Sequence, residues 1–264
     1  MAGSDLLDRT VAAIAASAQW FLLAEDLPDR DGFLQAVTPT VKLVGVAALV
    51  ALTVTQRTLA VVSALALFAT ALAALSRVPV RTFLGRLSGP PAFAFVVVAP
   101  QAVLMGGPSL GSLPVSAAGV DYVLTFAVRV TACVGFLSVL LLTTRFADLL
   151  AAFRRLRVPP IAVSLLGITY RYLLLFFAEL ERMVRARRSR TIAEPSLRRN
   201  WRDSGNFVGS FLVRSLERGE RVQRAARARG GTGPTPVRPR EPLGRADFAF
   251  GLTVVFAVAV VVVA

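Results

Sequence analysis

The sequence predicts an all-α integral membrane protein of about five transmembrane helices joined to long cytoplasmic helices. Three observations predict it. Of the 264 residues, 55% are hydrophobic, and the mean hydropathy of +0.63 exceeds what a soluble domain of this size sustains. The apolar residues gather in runs near the roughly 20 residues that cross a bilayer. The charge is segregated: residues 154–245 hold 21 arginines against seven acids, and that excess of +14 equals the formal net charge of the whole chain. A neutral apolar part therefore carries a strongly basic insert.

In chain order, residues 1–40 read as a short amphipathic helix and a polar loop. Asp5, Asp8 and Arg9 stand where a signal peptide would carry only positive charge, so no signal peptide is expected. The transmembrane bundle occupies 41–143, with spans at 41–54, 58–75, 91–105 and 120–143, the third entered through Gly89-Pro90-Pro91. The last span, 248–264, lies in a C-terminal segment 243–264. Arg77, Arg81 and Arg86 fall between the second and third spans, whereas 106–119 holds no Lys or Arg. The excess of positive charge on cytoplasmic loops then puts 76–90 and the basic insert inside the cell and 106–119 outside. Arg129, within the fourth span, is expected to face the bundle and to pair with a carbonyl or with Asp121.

The insert, 144–242, is read as a cytoplasmic coupling-helix domain and linker. It begins with RFADLLAAFRRLR, where Leu149, Leu150, Phe153 and Leu156 recur at helical spacing among arginines. That pattern suits an amphipathic helix at the inner membrane face. Pro159-Pro160 ends it and opens a helix over 161–190, apolar in its first half and charged in its second. After a polar break containing Pro195 and Gly205, a second helix is expected over 207–229. Val208, Phe211, Leu212, Ser215, Gly219, Val222 and Ala226 form its apolar-to-small stripe. Gly230-Gly231 and Pro234 stop it.

The most informative signal is internal. ERMVRARRSRT at 181–191 and ERVQRAARARG at 220–230 align without gaps at an offset of 39, with six of eleven positions identical. The identities pair Glu181 with Glu220, Arg182 with Arg221, Arg185 with Arg224, Ala186 with Ala225, Arg188 with Arg227 and Arg190 with Arg229. Each copy ends on an arginine between small neighbours, Ser189-Arg190-Thr191 and Ala228-Arg229-Gly230. One reading is that arginine-rich helices resemble one another, or that both lie on anionic lipid. Lipid asks only for charge, however, and does not fix Glu, Ala and Arg in one register. The other reading is a partner with two equivalent sockets. An arginine with small neighbours can enter a narrow groove and fork onto a carboxylate.

Composition removes other chemistries. There is no histidine and one cysteine, Cys133, which excludes His-based acid–base catalysis, a His/Cys metal site, a disulfide framework and CxxC redox chemistry. The single lysine, Lys42, lies between Val41 and Leu43, so there is no Gly-Lys-Ser/Thr phosphate loop. An intramembrane enzyme needs a cluster of ionisable groups. The spans offer isolated Asp121 and Arg129, with Asp148 beyond them. No catalytic residue, metal ligand or cofactor is expected in this chain.

In TVKLVG, TTRFADLLAAFRRLRVP, GITYRYLLLFFAELERMVRARRSR and GSFLVRSLERGERVQRAARARG, the sequence resembles the transmembrane (T) component of energy-coupling factor (ECF) ABC transporters, and most of all its cobalt-type subfamily. The likeness covers roughly 41–230. It implies that two short motifs, typically Ala-Arg-Gly, dock into two ABC ATPase subunits. The second motif carries over intact as Ala228, Arg229 and Gly230. The first becomes Ser189, Arg190 and Thr191, with a β-branched residue where the family has glycine. Glu181, Arg185, Arg188, Glu220, Arg224 and Arg227 would support the two coupling helices. The resemblance also implies that ATP and Mg are bound by the partner ATPases. A separate membrane subunit captures the substrate, cobalt or nickel by this likeness. Alternatives are a shared T component for vitamin uptake, or a basic membrane anchor binding lipid or nucleic acid. Arginine without lysine and with few interleaved aromatics favours shape-specific contacts over a simple polybasic patch, and no nucleic acid is expected as a partner. An ordinary ABC permease has one coupling loop per subunit, whereas this chain carries two motif copies.

Overall fold

A computed structural model describes residues 32–105, 116–190, 197–230 and 244–263, so the amphipathic helix expected near the N-terminus lies outside the described residues. Among the described residues the regular structure is helical throughout: a 3₁₀ turn at Leu34–Ala36, then α1 (Pro39–Thr55), α2 (Leu59–Leu75), α3 (Val80–Val98), α4 (Gln101–Leu104), α5 (Ala117–Thr143), α6 (Phe146–Arg155), α7 (Pro160–Arg190), α8 (Leu197–Ala228) and α9 (Arg245–Val263). The chain divides into two compact units. Among the described residues, one comprises 32–105, 116–156 and 244–263, and the other 157–190 and 197–230.

The first unit is the bundle. Pro39 opens α1 at a position where its missing N–H costs nothing. Ser116 caps α5, its hydroxyl accepting from the Gly119 N–H at 2.9 Å. Helix α5 is the central element, packed against α1, α2, α3 and α4, while α9 packs on α1. Leu49, Val62, Ala132, Phe136 and Phe250 are fully buried between them. Two glycines permit close approaches between helices. A Cβ on Gly45 would stand 2.5 Å from Phe250 Cε1, and one on Gly119 would stand 2.7 Å from Ala102 Cα.

One rim gathers the start of α1, the ends of α2 and α5 and the start of α9. Gln35 Nε2 donates to the Ser76 carbonyl at 2.9 Å, and Lys42 Nζ donates to the Thr143 carbonyl at 3.0 Å. The Thr38 hydroxyl donates to Asp247 Oδ1 at 2.9 Å. Arg77 and Arg81 flank the α2–α3 turn on this rim. Toward the opposite rim, Arg129 Nη2 donates to the Gln56 carbonyl at 2.5 Å. Of the two partners the sequence allowed, the carbonyl is the one made.

Three helical segments are long and apolar enough to cross a membrane: Val80–Leu104, Ala117–Thr143 and Pro160–Ala186; α1 and α2 are shorter apolar helices. Two boundaries differ from the sequence reading. The third span, expected over 91–105, belongs to a helix that begins at Val80 and carries Pro90 and Pro91 inside it. Each proline removes an N–H donor and crowds the carbonyl one turn back, yet α3 runs through both. The segment 161–190, read as a coupling helix, also reaches span length through Ala186.

Candidate functional site

In the second unit, Arg157 adopts φ +63° after α6, and Pro160 opens α7. The turn is closed by the Ala162 N–H donating to the Pro159 carbonyl at 3.0 Å. Helix α7 continues unbroken to Arg190. Helix α8 starts at Leu197, ten residues before the expected 207. Gly205 was read as part of a break, yet it sits inside the helix with open space around it.

The two long helices meet at an aromatic and an ionic contact. The rings of Phe176 and Phe211 stand edge to face with centroids 5.8 Å apart. Glu179 reaches Arg214 across the crossing at 3.6 Å and Arg182 on its own helix at 2.6 Å. At about 1.5 Å rise per residue, the crossing lies about 21 Å from the Arg190 end of α7 and about 27 Å from Arg229. Each helix therefore carries its repeat copy on an arm several turns long.

Within the arms the repeat has a local cause as well. Glu181 pairs with Arg185 at 3.0 Å and Glu220 with Arg224 at 3.8 Å, both one turn apart on the same helix. Such pairs support an exposed helix by about 0.3–0.5 kcal/mol each. Glu, Arg and the turn between them thus recur because both arms need the same support.

The arginines at the second tip are a different matter. Arg227 and Arg229 make no ion pair or side-chain hydrogen bond among the described residues, and both are exposed. The Arg229 N–H donates to the Ala225 and Ala226 carbonyls, both at 3.2 Å, and Gly230 follows at φ +71°. This is a helix end closed by a left-handed glycine, with the exposed Arg229 just before it. Ala228 and Gly230 beside it offer no side chain that would shield it. At the first tip, Ser189 is exposed and its hydroxyl donates to the Ala186 carbonyl at 3.0 Å, and α7 ends at Arg190. The side chains of Arg188 and Arg190, and all of Thr191, lie outside the described residues. Of the α8 stripe, Phe211 and Ser215 are half-buried, whereas Val208 and Leu212 are 60% and 56% exposed. Most of that apolar face is uncovered in this chain.

Among the described residues, no group of three or more His, Cys, Asp or Glu side chains could hold a metal ion. The buried hydrogen bonds of Lys42 to the Thr143 carbonyl and of Asp247 to Thr38 were not anticipated. Their only signal was the use of one lysine in a chain otherwise basic through arginine.

Residues 31–240, most of the chain and nearly all of the segment just described, match the cobalt transport protein family CbiQ. The chain belongs to that family. As a CbiQ-family protein it is a membrane component of cobalt transport, a kind of protein that works within a transporter complex. It is 29% identical over 167 residues to the cobalt transport protein CbiQ of Rhodobacter capsulatus, covering 63% of this chain and 67% of that one. It is also 24% identical over 260 residues to an uncharacterized protein of Methanocaldococcus jannaschii, covering 93% and 87% of the two chains.

Proposed function

We propose that this CbiQ-family chain is the T component of an ECF-type importer. It couples ATP hydrolysis by two partner ABC ATPases to uptake of cobalt or nickel through a separate substrate-binding membrane subunit. The ATPases carry ATP and Mg, and this chain carries the linkage. The observation that supports this most is the twin architecture of α7 and α8: two arms that cross once, bear one repeat in register and end on arginine.

The mechanism follows from that shape. Each tip arginine enters a groove on one ATPase and forks onto a carboxylate there. Ser189 and Thr191 flank one plug, and Ala228 and Gly230 the other. When ATP draws the ATPases together, the tips move relative to each other. Arms of about 21 and 27 Å, hinged at Phe176 and Phe211, carry that displacement to the membrane. The basic insert faces the cytoplasm by the charge of its loops. The exposed stripe of α8 serves as a packing face within the complex.

Charge reversal tests this reading. Arg190→Glu and Arg229→Glu should each weaken ATPase binding by about 2–5 kcal/mol, or about 30-fold to several-thousand-fold, as for truncated buried charge pairs. The measurement is co-purification of the ATPases with the tagged chain, together with cobalt uptake. Unchanged co-purification and uptake in both variants would refute it.

A further inference from the structure

Lys42 is the single lysine in the sequence, and it is 3% exposed. Its Nζ donates to the carbonyl of Thr143, the last residue of α5, at 3.0 Å. That carbonyl is one of those a helix end leaves without a partner, and a cation suits the negative end of the helix. Asp247 is 4% exposed. Its Oδ1 accepts from the Thr38 N–H at 2.6 Å and from the Thr38 hydroxyl at 2.9 Å, and its Oδ2 accepts from the Gly244 N–H at 2.8 Å. Thr38 precedes α1 and Gly244 precedes α9, so one carboxylate serves two helix starts. Asp148 lies in the first turn of α6, a helix that packs on α1.

A buried charge cluster of this kind adds little stability over a well-packed apolar replacement. In a membrane protein it points to function. Its position supplies one. The chain passes from bundle to coupling arms just after α6 and returns just before α9. Asp247 ties α9 to α1, Lys42 ties α1 to α5, and α6 packs on α1. We propose that Lys42 and Asp247 are positioning residues for energy coupling: a buried hydrogen-bonded joint that makes the bundle follow the two points where the coupling unit is tethered. This rests on the coupling reading above. With the joint intact, a pull on α6 or α9 moves four helix ends together. With it broken, the tethers shift without the bundle, and ATP is spent without uptake.

The test uses the complete transporter in proteoliposomes, with cobalt taken up per ATP hydrolysed as the readout. Asp247→Asn and Lys42→Gln should keep ATPase co-purification and hydrolysis within about two-fold of wild type, while the uptake-to-hydrolysis ratio falls at least about ten-fold. Thr38→Val, which removes one hydroxyl bond and keeps the backbone donor, guards against failure to fold and should lower the ratio about two- to four-fold. A wild-type ratio in all three variants would overturn the joint. So would uptake and hydrolysis falling in equal proportion in Thr38→Val, the mark of a purely structural role. A wild-type chain that retains no ATPase would instead overturn the coupling reading itself.

Discussion

Gly119→Ala adds one methyl group where α5 lies directly against the backbone of α4. The new Cβ would stand 2.7 Å from Ala102 Cα, 2.8 Å from the Gln101 carbonyl oxygen and 2.9 Å from the Ala102 carbonyl oxygen. Non-bonded carbon atoms rest at about 3.5–4.0 Å, so α4 and α5 must part by nearly 1 Å. All three obstructing atoms are backbone, and no rotamer can relieve the clash. Overpacking of this kind costs about 1–3 kcal/mol. Separation also strains the Ser116 N–H to Ala102 carbonyl bond, 2.9 Å long and worth about 1 kcal/mol. Alanine's better helix propensity returns at most about 1 kcal/mol. The net loss is about 1–3 kcal/mol, a fall in Tm of about 2–12 °C for a chain of this size. Thermal unfolding in detergent, followed by circular dichroism, measures it. Gly85→Ala is the control, because a Cβ there meets nothing within 4 Å. It should leave Tm unchanged or raise it. A Gly119→Ala protein as stable as wild type would refute the reasoning.

Two further outcomes follow from left-handed backbone. Arg157 is exposed at φ +63°. Arg157→Gly should therefore relieve about 1 kcal/mol of steric cost, less the entropy glycine adds to the unfolded chain, and leave Tm equal or slightly higher; a clear fall would contradict it. Gly230 closes α8 at φ +71°, and Gly230→Ala should weaken that last turn by about 1–2 kcal/mol. Amide exchange at Arg229 should accelerate about 5- to 30-fold, and equal rates would show that the turn does not depend on glycine.

Much of the fold was legible because it rests on local pattern. The second span, read as 58–75, is α2 at Leu59–Leu75, and the helix read as 161–190 is α7 at Pro160–Arg190. Both are bounded by proline or polar residues that end an apolar run. Local punctuation misled at residues that a helix can carry through at a modest cost. Pro90-Pro91 and Gly205 read as breaks, yet each lies within a helix. The repeat was legible as spacing, and the structure divides it into a part that supports each arm, the Glu–Arg pairs, and an exposed tip. The Lys42 and Asp247 cluster was not legible, because its partners are 101 and 209 residues apart. No window along the chain brings Thr38 and Asp247 together. The lone lysine marked the place without naming its partners.

The bond between Thr38 and Asp247 also orders events during biosynthesis. The ribosome makes the threonine 209 residues before the aspartate that completes it. Until then the Thr38 N–H and hydroxyl, at the entry of the first membrane helix, lack that acceptor. The junction of the first and last membrane helices therefore forms only when the final helix arrives. A chain truncated before that helix leaves both Thr38 donors without the carboxylate that receives them.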